Sequence, residues 1–319
     1  MTQPYIIAEI GSNHNQNLNE AFELILAAKN SGANAVKFQI FKAEDLFKNK
    51  NYQKKIKKYE FNLSWYAKLS QFCKLKKIDI FASTFGNKST NFLMKYNPPY
   101  IKWASSELTK LSNLYYAAKF GVPIILSTGM ADLAEVHEAI EVCRSANNKN
   151  IILMHCKSIY PTKNHEMNLL SLNILKNTFK LKLGISDHSV NNISSILAVA
   201  LGATYFEKHI TLNKQQVGPD HHYALEPNEF KEYVSSIKLA FKTLGKEEIF
   251  INEKIKLNAR KKSLYFNRDL KKGSIIRAKD LIILDNAMGI SPRFLTVFLG
   301  QKINKSIKKK HPVQWKVIK

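Results

Sequence analysis

Apolar residues gather into short runs rich in Ile, Val and Phe, and each run stops at charged, hydroxyl-bearing or imidazole side chains. Eight such runs read as strands: 5–10 (YIIAEI), 35–40 (AVKFQI), 78–84 (IDIFAST), 100–106 (YIKWASS), 122–128 (VPIILST), 151–156 (IILMHC), 182–187 (KLGISD) and 204–210 (TYFEKHI). Between them lie segments with apolar positions close to helical spacing. Segment 19–32 carries Phe22, Leu24, Ile25 and Ala28 and ends at a glycine able to stop a helix; 131–146, 192–202 and 226–245 behave likewise. Runs that are apolar on both faces and alternate with helices predict parallel strands covered by helices. Eight units over residues 1–246 predict an α/β chain folded as a (β/α)8 TIM barrel, a fold of about 250 residues. No GxGxxG follows a strand, which argues against a doubly wound open sheet.

The pattern changes after Gly245. Residues 247–259 read as an extended, charged linker. Residues 260–319 read as a small β-rich domain with two short strands around Lys271-Lys272-Gly273. A tail of that length is too short to be generously stable alone, so it is expected to dock on a barrel, its own or a partner's.

Composition narrows the class. The chain has 319 residues, 45% hydrophobic and 23% charged, a globular profile. No apolar run reaches the roughly 18 residues that span a bilayer, and the N-terminus lacks a basic flank and a small-residue cleavage site. Cys73, Cys143 and Cys156 have no CxxC partner, which fits a reducing cytoplasm rather than a disulfide framework or a zinc site. The formal net charge of +24 suits either nucleic acid or small anions. The lysines concentrate in 48–61 and 302–316 without the Arg-rich or aromatic-interleaved pattern of a stacking surface. Small anionic substrates are therefore the expected partners, with no nucleic acid and no membrane.

A barrel of this type carries its active site at the C-terminal strand ends. Those ends bear Glu9, then Asn13 and His14; Lys37 and Gln39; Ser83 and Thr84; Lys102, Ser105 and Glu107; Ser127, Thr128 and Gly129; His155, Ser158 and Tyr160; Asp187 and His188; Glu207 and His209. Polar groups in apolar strands are costly to bury unless paired or used. Lys37 and Lys102, if both face inward, form a positive floor for a phosphate or carboxylate, although a strand lysine also often pairs with a structural glutamate. Ser105, Ser127 and Ser158 add hydroxyls. The helix after 127–130 (STGM) could offer amides to an anion. His188 and His209, from neighbouring strands and each next to a carboxylate, suit a divalent transition ion better than either would alone. The pair His221-His222 is a weaker alternative because it falls in an expected loop.

These motifs together resemble the sialic acid synthase (N-acetylneuraminate synthase) family, which includes legionaminic and pseudaminic acid synthases. The matching stretches are IIAEIGSNHN, GANAVKFQIF, IKWASSE, GVPIILSTGM, HCKSIYPT, GISDHS, LGATYFEKHITL and GPDHHYALEP, in order over about 6–230; SLYFNRDLKKGSIIRAKDLI resembles the family's antifreeze-protein-like (SAF) tail domain. The resemblance implies that phosphoenolpyruvate (PEP) condenses with the open-chain aldehyde of a hexosamine-type sugar to give a nine-carbon 2-keto-3-deoxy acid and phosphate. It implies a divalent metal, Mn2+ or Mg2+, between His188 and His209. PEP would be held by Lys37, Lys102, Ser105, Ser127 and Ser158, with Gln39, Thr84 and Glu107 lining the same pocket. Glu9 would handle protons, and Tyr160, Asp187 and Asp220 would serve the sugar. A homodimer with each tail over the partner's barrel is also implied.

Two positions depart from the family pattern. Asp285 and Asn286 stand where the family's tail usually has an arginine-proline pair that reaches the sugar's acylamino group, and an acidic side chain cannot donate to an amide as guanidinium does. Phe85 and Gly86 follow Ser-Thr where a proline is common. The acceptor is then expected to lack the acyl group, to carry a free amine, or to be held by Arg277 or Arg293 instead; the alternative functions are condensation with a non-acylated aldose or an aldose phosphate, or a weakened homologue that only binds sugar or PEP.

Overall fold

The computed structural model describes residues 3–247, 261–285 and 288–318. Asn286 and all of the expected linker except Glu247 lie outside the described residues. Strands β1 (Tyr5–Gly11), β2 (Ala35–Ile40), β3 (Asp79–Thr84), β4 (Ile101–Trp103), β5 (Ile124–Ser127), β6 (Ile151–Cys156), β7 (Lys182–Asp187) and β8 (Ala203–His209) pair in parallel in chain order, and β8 closes against β1. Each predicted run is a strand. The fourth is shorter than expected: after Trp103 the chain enters a tight 3-10 turn, Ser105–Glu107, and the Trp103 indole N–H donates to the Glu107 carbonyl at 2.8 Å.

Alternation along the strands sorts the apolar residues into two compartments. Ile6, Ala8, Ile10, Val36 and Phe38 point outward and join the core beneath the helices. Ile7, Ala35, Phe81, Ile125, Ile152, Met154 and Tyr205 point inward, with Tyr5 and Tyr100 packed against them near the strand starts. Each large apolar side chain withdrawn from water contributes about 1.5–3 kcal/mol, so this plug is a stabilising floor for the polar groups above it. Gly184 lets β7 and β8 approach: a Cβ there would stand 2.8 Å from both Cβ and the carbonyl oxygen of Tyr205. The β7–β8 register shifts between Leu183 and Gly184, which brings Asp187 opposite Lys208.

The chain divides into two compact units, Met1–Gly245 and Lys246–Lys319. In the second, β9 (Lys262–Phe266) and β10 (Leu281–Asp285) pair antiparallel over a core that includes Leu264, Phe266, Ile276, Phe298 and Val313. The two strands are not joined by a tight hairpin at Lys271-Lys272-Gly273. Gly273 turns with φ of 86°, but Leu270 before it and Ile275 after it bridge to Ile307 and Lys302 rather than to each other, and a further turn, Ala278–Asp280, precedes β10. Among the described residues no helix is long and apolar enough to cross a membrane.

Candidate active site

A cavity of about 620 Å³ opens at the C-terminal ends of the barrel strands. Its floor is a buried ion network. Lys37 Nζ lies 2.8 Å from Glu9 Oε2 and 3.7 Å from Glu207 Oε2, and it donates to Ser83 Oγ at 2.9 Å. Lys102 Nζ donates to both oxygens of Glu207, at 2.9 and 2.8 Å. Both lysines therefore face inward, and both pair with glutamates. Gln39 donates to Glu9 Oε1 at 2.7 Å, fixing that carboxylate. Burial opposes ionisation of Glu207, but the charges of Lys102 and Lys37 and the hydrogen bonds from Lys102 and Ser186 hold it well below the ordinary carboxylate range. Burial also opposes the charge of Lys37, yet Glu207 and Glu9 outweigh it and raise its pKa. Lys102 is pulled down by burial and by Lys37, against the attraction of Glu207. Its remaining N–H meets Met154 Sδ at 3.1 Å, a weak acceptor that leaves the ammonium with spare donor capacity.

Hydroxyls also line the cavity, from Ser105, Ser106, Ser127 and Ser158, together with Cys156. Ser105 Oγ accepts from the Gly129 amide at 3.0 Å and lies 3.2 Å from Cys156 Sγ. Gly129 has no room for a side chain, since a Cβ would be 2.6 Å from that sulfur and 3.0 Å from the Cys156 carbonyl oxygen. The following helix, Leu133–Ser145, does not offer its first amides to a ligand. Asp132 and Glu135 form a capping box, with the Glu135 amide donating to Asp132 Oδ1 at 2.9 Å.

The next strands round the barrel, β7 and β8, carry the imidazoles. The His188 and His209 rings are 5.8 Å apart, and Tyr160 lies 4.3 Å from His188, centre to centre. His188 Nδ1 is 2.6 Å from the Lys157 carbonyl, which can only accept, so Nδ1 carries the proton. Burial and the neighbouring His209 push the His188 pKa down to about 4, so the ring is neutral at pH 7. Its Nε2 lone pair faces Ser186 Oγ at 3.2 Å, while that hydroxyl donates to Glu207 Oε1 at 2.8 Å. Nε2 therefore has no proton donor. His209 Nδ1 is buried without a hydrogen-bond partner and stands 3.9 Å from Asp220 Oδ2. Two imidazoles with unfilled nitrogens suit a divalent ion whose metal–nitrogen bonds are about 2.1 Å. Among the described residues no group of three or more His, Cys, Asp or Glu is placed to hold a metal ion, so an ion at this pair would need water or substrate in its remaining positions.

Several expected residues stand elsewhere. Thr84 is fully buried and accepts from Thr90 at 3.1 Å, on the helix side of β3. The tight turn after β4 carries Glu107 away from the cavity to Lys110, at 2.8 Å. Asp187 faces outward and pairs with Lys208, because it alternates with the inward His188. Asp220 does not line the cavity but lies beside His209 and accepts from the Tyr223 hydroxyl at 2.7 Å. His155 reaches the Met167 carbonyl, and His221 is used by Thr211 and Asn15. Ser83 and Glu207, which the sequence places at strand ends without a role, and Ser186, which it does not single out, complete the polar floor, and all three obey strand alternation. Phe47, Tyr52, Phe85 and Met130 add an apolar rim. Phe47 and Tyr52 come from the lysine-rich β2–β3 connection, where composition signals only a solvated surface.

The model of the NeuB family matches residues 24–249, and the SAF domain model matches 261–319. The chain belongs to the NeuB family. Relatives of this NeuB-family chain include the pseudaminic acid synthase of Helicobacter pylori, 37% identical over 97% of this chain and 96% of its own length. Another is the N,N'-diacetyllegionaminic acid synthase of Campylobacter jejuni, 38% identical over 97% of this chain and 98% of its own. Among solved structures, the N-acetylneuraminic acid (sialic acid) synthetase of Leptospira borgpetersenii, crystallised with citrate, superimposes with a TM-score of 0.76 at 32% identity, covering 80% of this chain and 89% of that one.

Proposed function

We propose that this NeuB-family chain condenses PEP with the open-chain aldehyde of a hexosamine-type aldose, in a divalent-metal-dependent reaction that yields a nonulosonic 2-keto-3-deoxy acid and phosphate. One observation carries the reading: Lys102, with a donor spent on a thioether, and two imidazoles with unfilled nitrogens share one cavity with serine hydroxyls. The names of the relatives support the product class.

In the proposed reaction C3 of PEP bonds to the aldehyde carbon, whose oxygen takes a proton. Water adds at C2, and the C2–O bond to phosphate breaks as the ketone forms. Lys102 would exchange its thioether contact for a substrate anion, a charge-assisted bond about twice as strong as a neutral one. Ser105, Ser127 and Ser158 would donate to the phosphate, and Lys37 would balance the second anionic group. Glu9, held by Gln39 and Lys37, would take up or return the proton exchanged between water and the intermediate. Tyr160 and the apolar rim would exclude water from the sugar side. A divalent ion held by His188 and His209 would supply Lewis acidity toward an oxygen within its reach.

A non-acylated acceptor is the second reading. Asp285 is acidic and lies 2.6 Å from Lys262 Nζ, so it supplies no donor for an acyl carbonyl. The test of both is phosphate release on mixing PEP, Mn2+ and a panel of acylated and non-acylated aldoses, with the product acid weighed by mass spectrometry. The proposal expects an acid of acceptor plus pyruvate, formed one-for-one with phosphate. PEP binding without turnover on any aldose would replace it with a binding role.

A further inference from the structure

We infer that the buried Asp187–Lys208 pair is a positioning element that fixes the spacing and orientation of His188 and His209. The inference rests on the reading of those imidazoles as the metal-holding pair. Each member immediately precedes one imidazole in sequence, so strand alternation puts the pair on the outer face of the barrel wall while the rings face the cavity. The β7–β8 register sets Asp187 opposite Lys208, and the close approach at Gly184 belongs to the same strand pair.

Lys208 Nζ lies 3.2 Å from Asp187 Oδ2, with the two side chains 1% and 0% exposed. Lys208 also donates to the carbonyls of Ser189 and Asn191, so its donors tie β8 to the loop that leaves β7. Asp187 accepts from the Ser189 amide at 2.9 Å, the Ser189 hydroxyl at 2.7 Å and the Ser195 hydroxyl at 2.9 Å. Ser195 in turn meets the Tyr233 hydroxyl at 2.9 Å. His188 sits within this pinned segment, and its Nδ1 is fixed from the other side by the Lys157 carbonyl. None of these outer groups reaches the cavity, so their effect on chemistry passes through the imidazoles alone.

The test is Mn2+ binding to the full chain without substrates, followed by equilibrium dialysis, with PEP affinity measured separately by calorimetry. Lys208→Met should bind Mn2+ at least about tenfold more weakly, as for other groups that orient metal ligands, while PEP affinity stays within about twofold. Lys208→Met strands the Asp187 carboxylate in a dry site and could unfold the chain. The double variant Asp187→Asn/Lys208→Met leaves no lone charge and should show the same weakened Mn2+ binding in a folded protein. A folded variant that binds Mn2+ as tightly as wild type overturns the inference, as does a parallel loss of PEP affinity, which would indicate general structural damage. His188→Ala separates the two claims: wild-type Mn2+ binding in that variant overturns the metal-ligand reading itself.

Discussion

Lys102 has three N–H bonds and finds two carboxylate oxygens and a thioether to receive them. The ion network it belongs to is dry, and a dry pair is far more sensitive to losing one partner than to losing both. Lys102→Met leaves Glu207 with Lys37 at 3.7 Å and should destabilise the fold by about 3–5 kcal/mol in urea unfolding. Glu207→Gln/Lys102→Met should cost clearly less than the single change; an equal or larger cost would mean that the pair stabilises by attraction rather than by mutual neutralisation. His14 offers a pH test away from the site. It is fully buried, 5.7 Å from Phe61 and 5.8 Å from Trp65 between ring centres, and burial pushes its pKa down to about 4. The unfolded chain takes up that proton near the ordinary value of 6.5, so the stability from the neutral ring is full above about 6.5 and is lost as pH falls toward 4. The shift corresponds to about 3 kcal/mol. His14→Gln should flatten the stability profile between those limits by about that amount, and an unchanged slope would contradict the assignment.

The elements show where reading side chains from strand alternation works and where it stops. Inside a strand the rule of two holds: Lys37 and Gln39 face the cavity together because Phe38 between them packs under the helices, and Glu207 and His209 do so because Lys208 between them turns outward to Asp187. What misleads at strand ends is polarity, because alternation continues there and sends every second polar residue outward. Thr84 and Asp187 end their strands on outward positions, and neither residue type tells the two faces apart. Glu107 lies beyond β4 in a turn whose spacing no periodicity announces. Phe47 and Tyr52 become walls because a connection folds back over the strand ends, a tertiary contact with no local signature. The loop after β5 supports an element-scale prediction. Gly129→Ala would force a Cβ against the Cys156 carbonyl oxygen at 3.0 Å, which is backbone and cannot move aside. It should cost about 1–3 kcal/mol of stability and raise the KM for PEP more than it lowers kcat. A normal KM would show that the Ser105–Gly129 contact has no part in holding the donor.

At the scale of the whole molecule, eight apolar runs separated by helical segments made barrel closure legible, since parallel strands buried on both faces need helices outside and a filled interior. The second compact unit starts at Lys246, and the composition changes after Gly245. The internal path of the second unit was less legible, because its strands are held by isolated bridges between distant residues such as Leu270 and Ile307 rather than by a local hairpin. Two predictions belong here. The net charge of +24 should attract an anionic donor, so kcat/KM for PEP should fall as ionic strength rises while kcat stays level; a salt-independent kcat/KM would remove electrostatic steering from the account. Asp285→Arg should shift selectivity toward N-acylated acceptors, and unchanged selectivity between acylated and free-amine sugars would mean that this position does not read the acceptor.

The most direct measurement is product-acid formation from PEP and the best aldose of the panel, compared in chelator-stripped protein and after adding back Mn2+ or Mg2+. A cavity that works through two imidazoles with unfilled nitrogens predicts turnover that vanishes on stripping and returns with the ion, in wild type but not in His188→Ala. Equal turnover in the stripped protein, or full activity in His188→Ala, would contradict it.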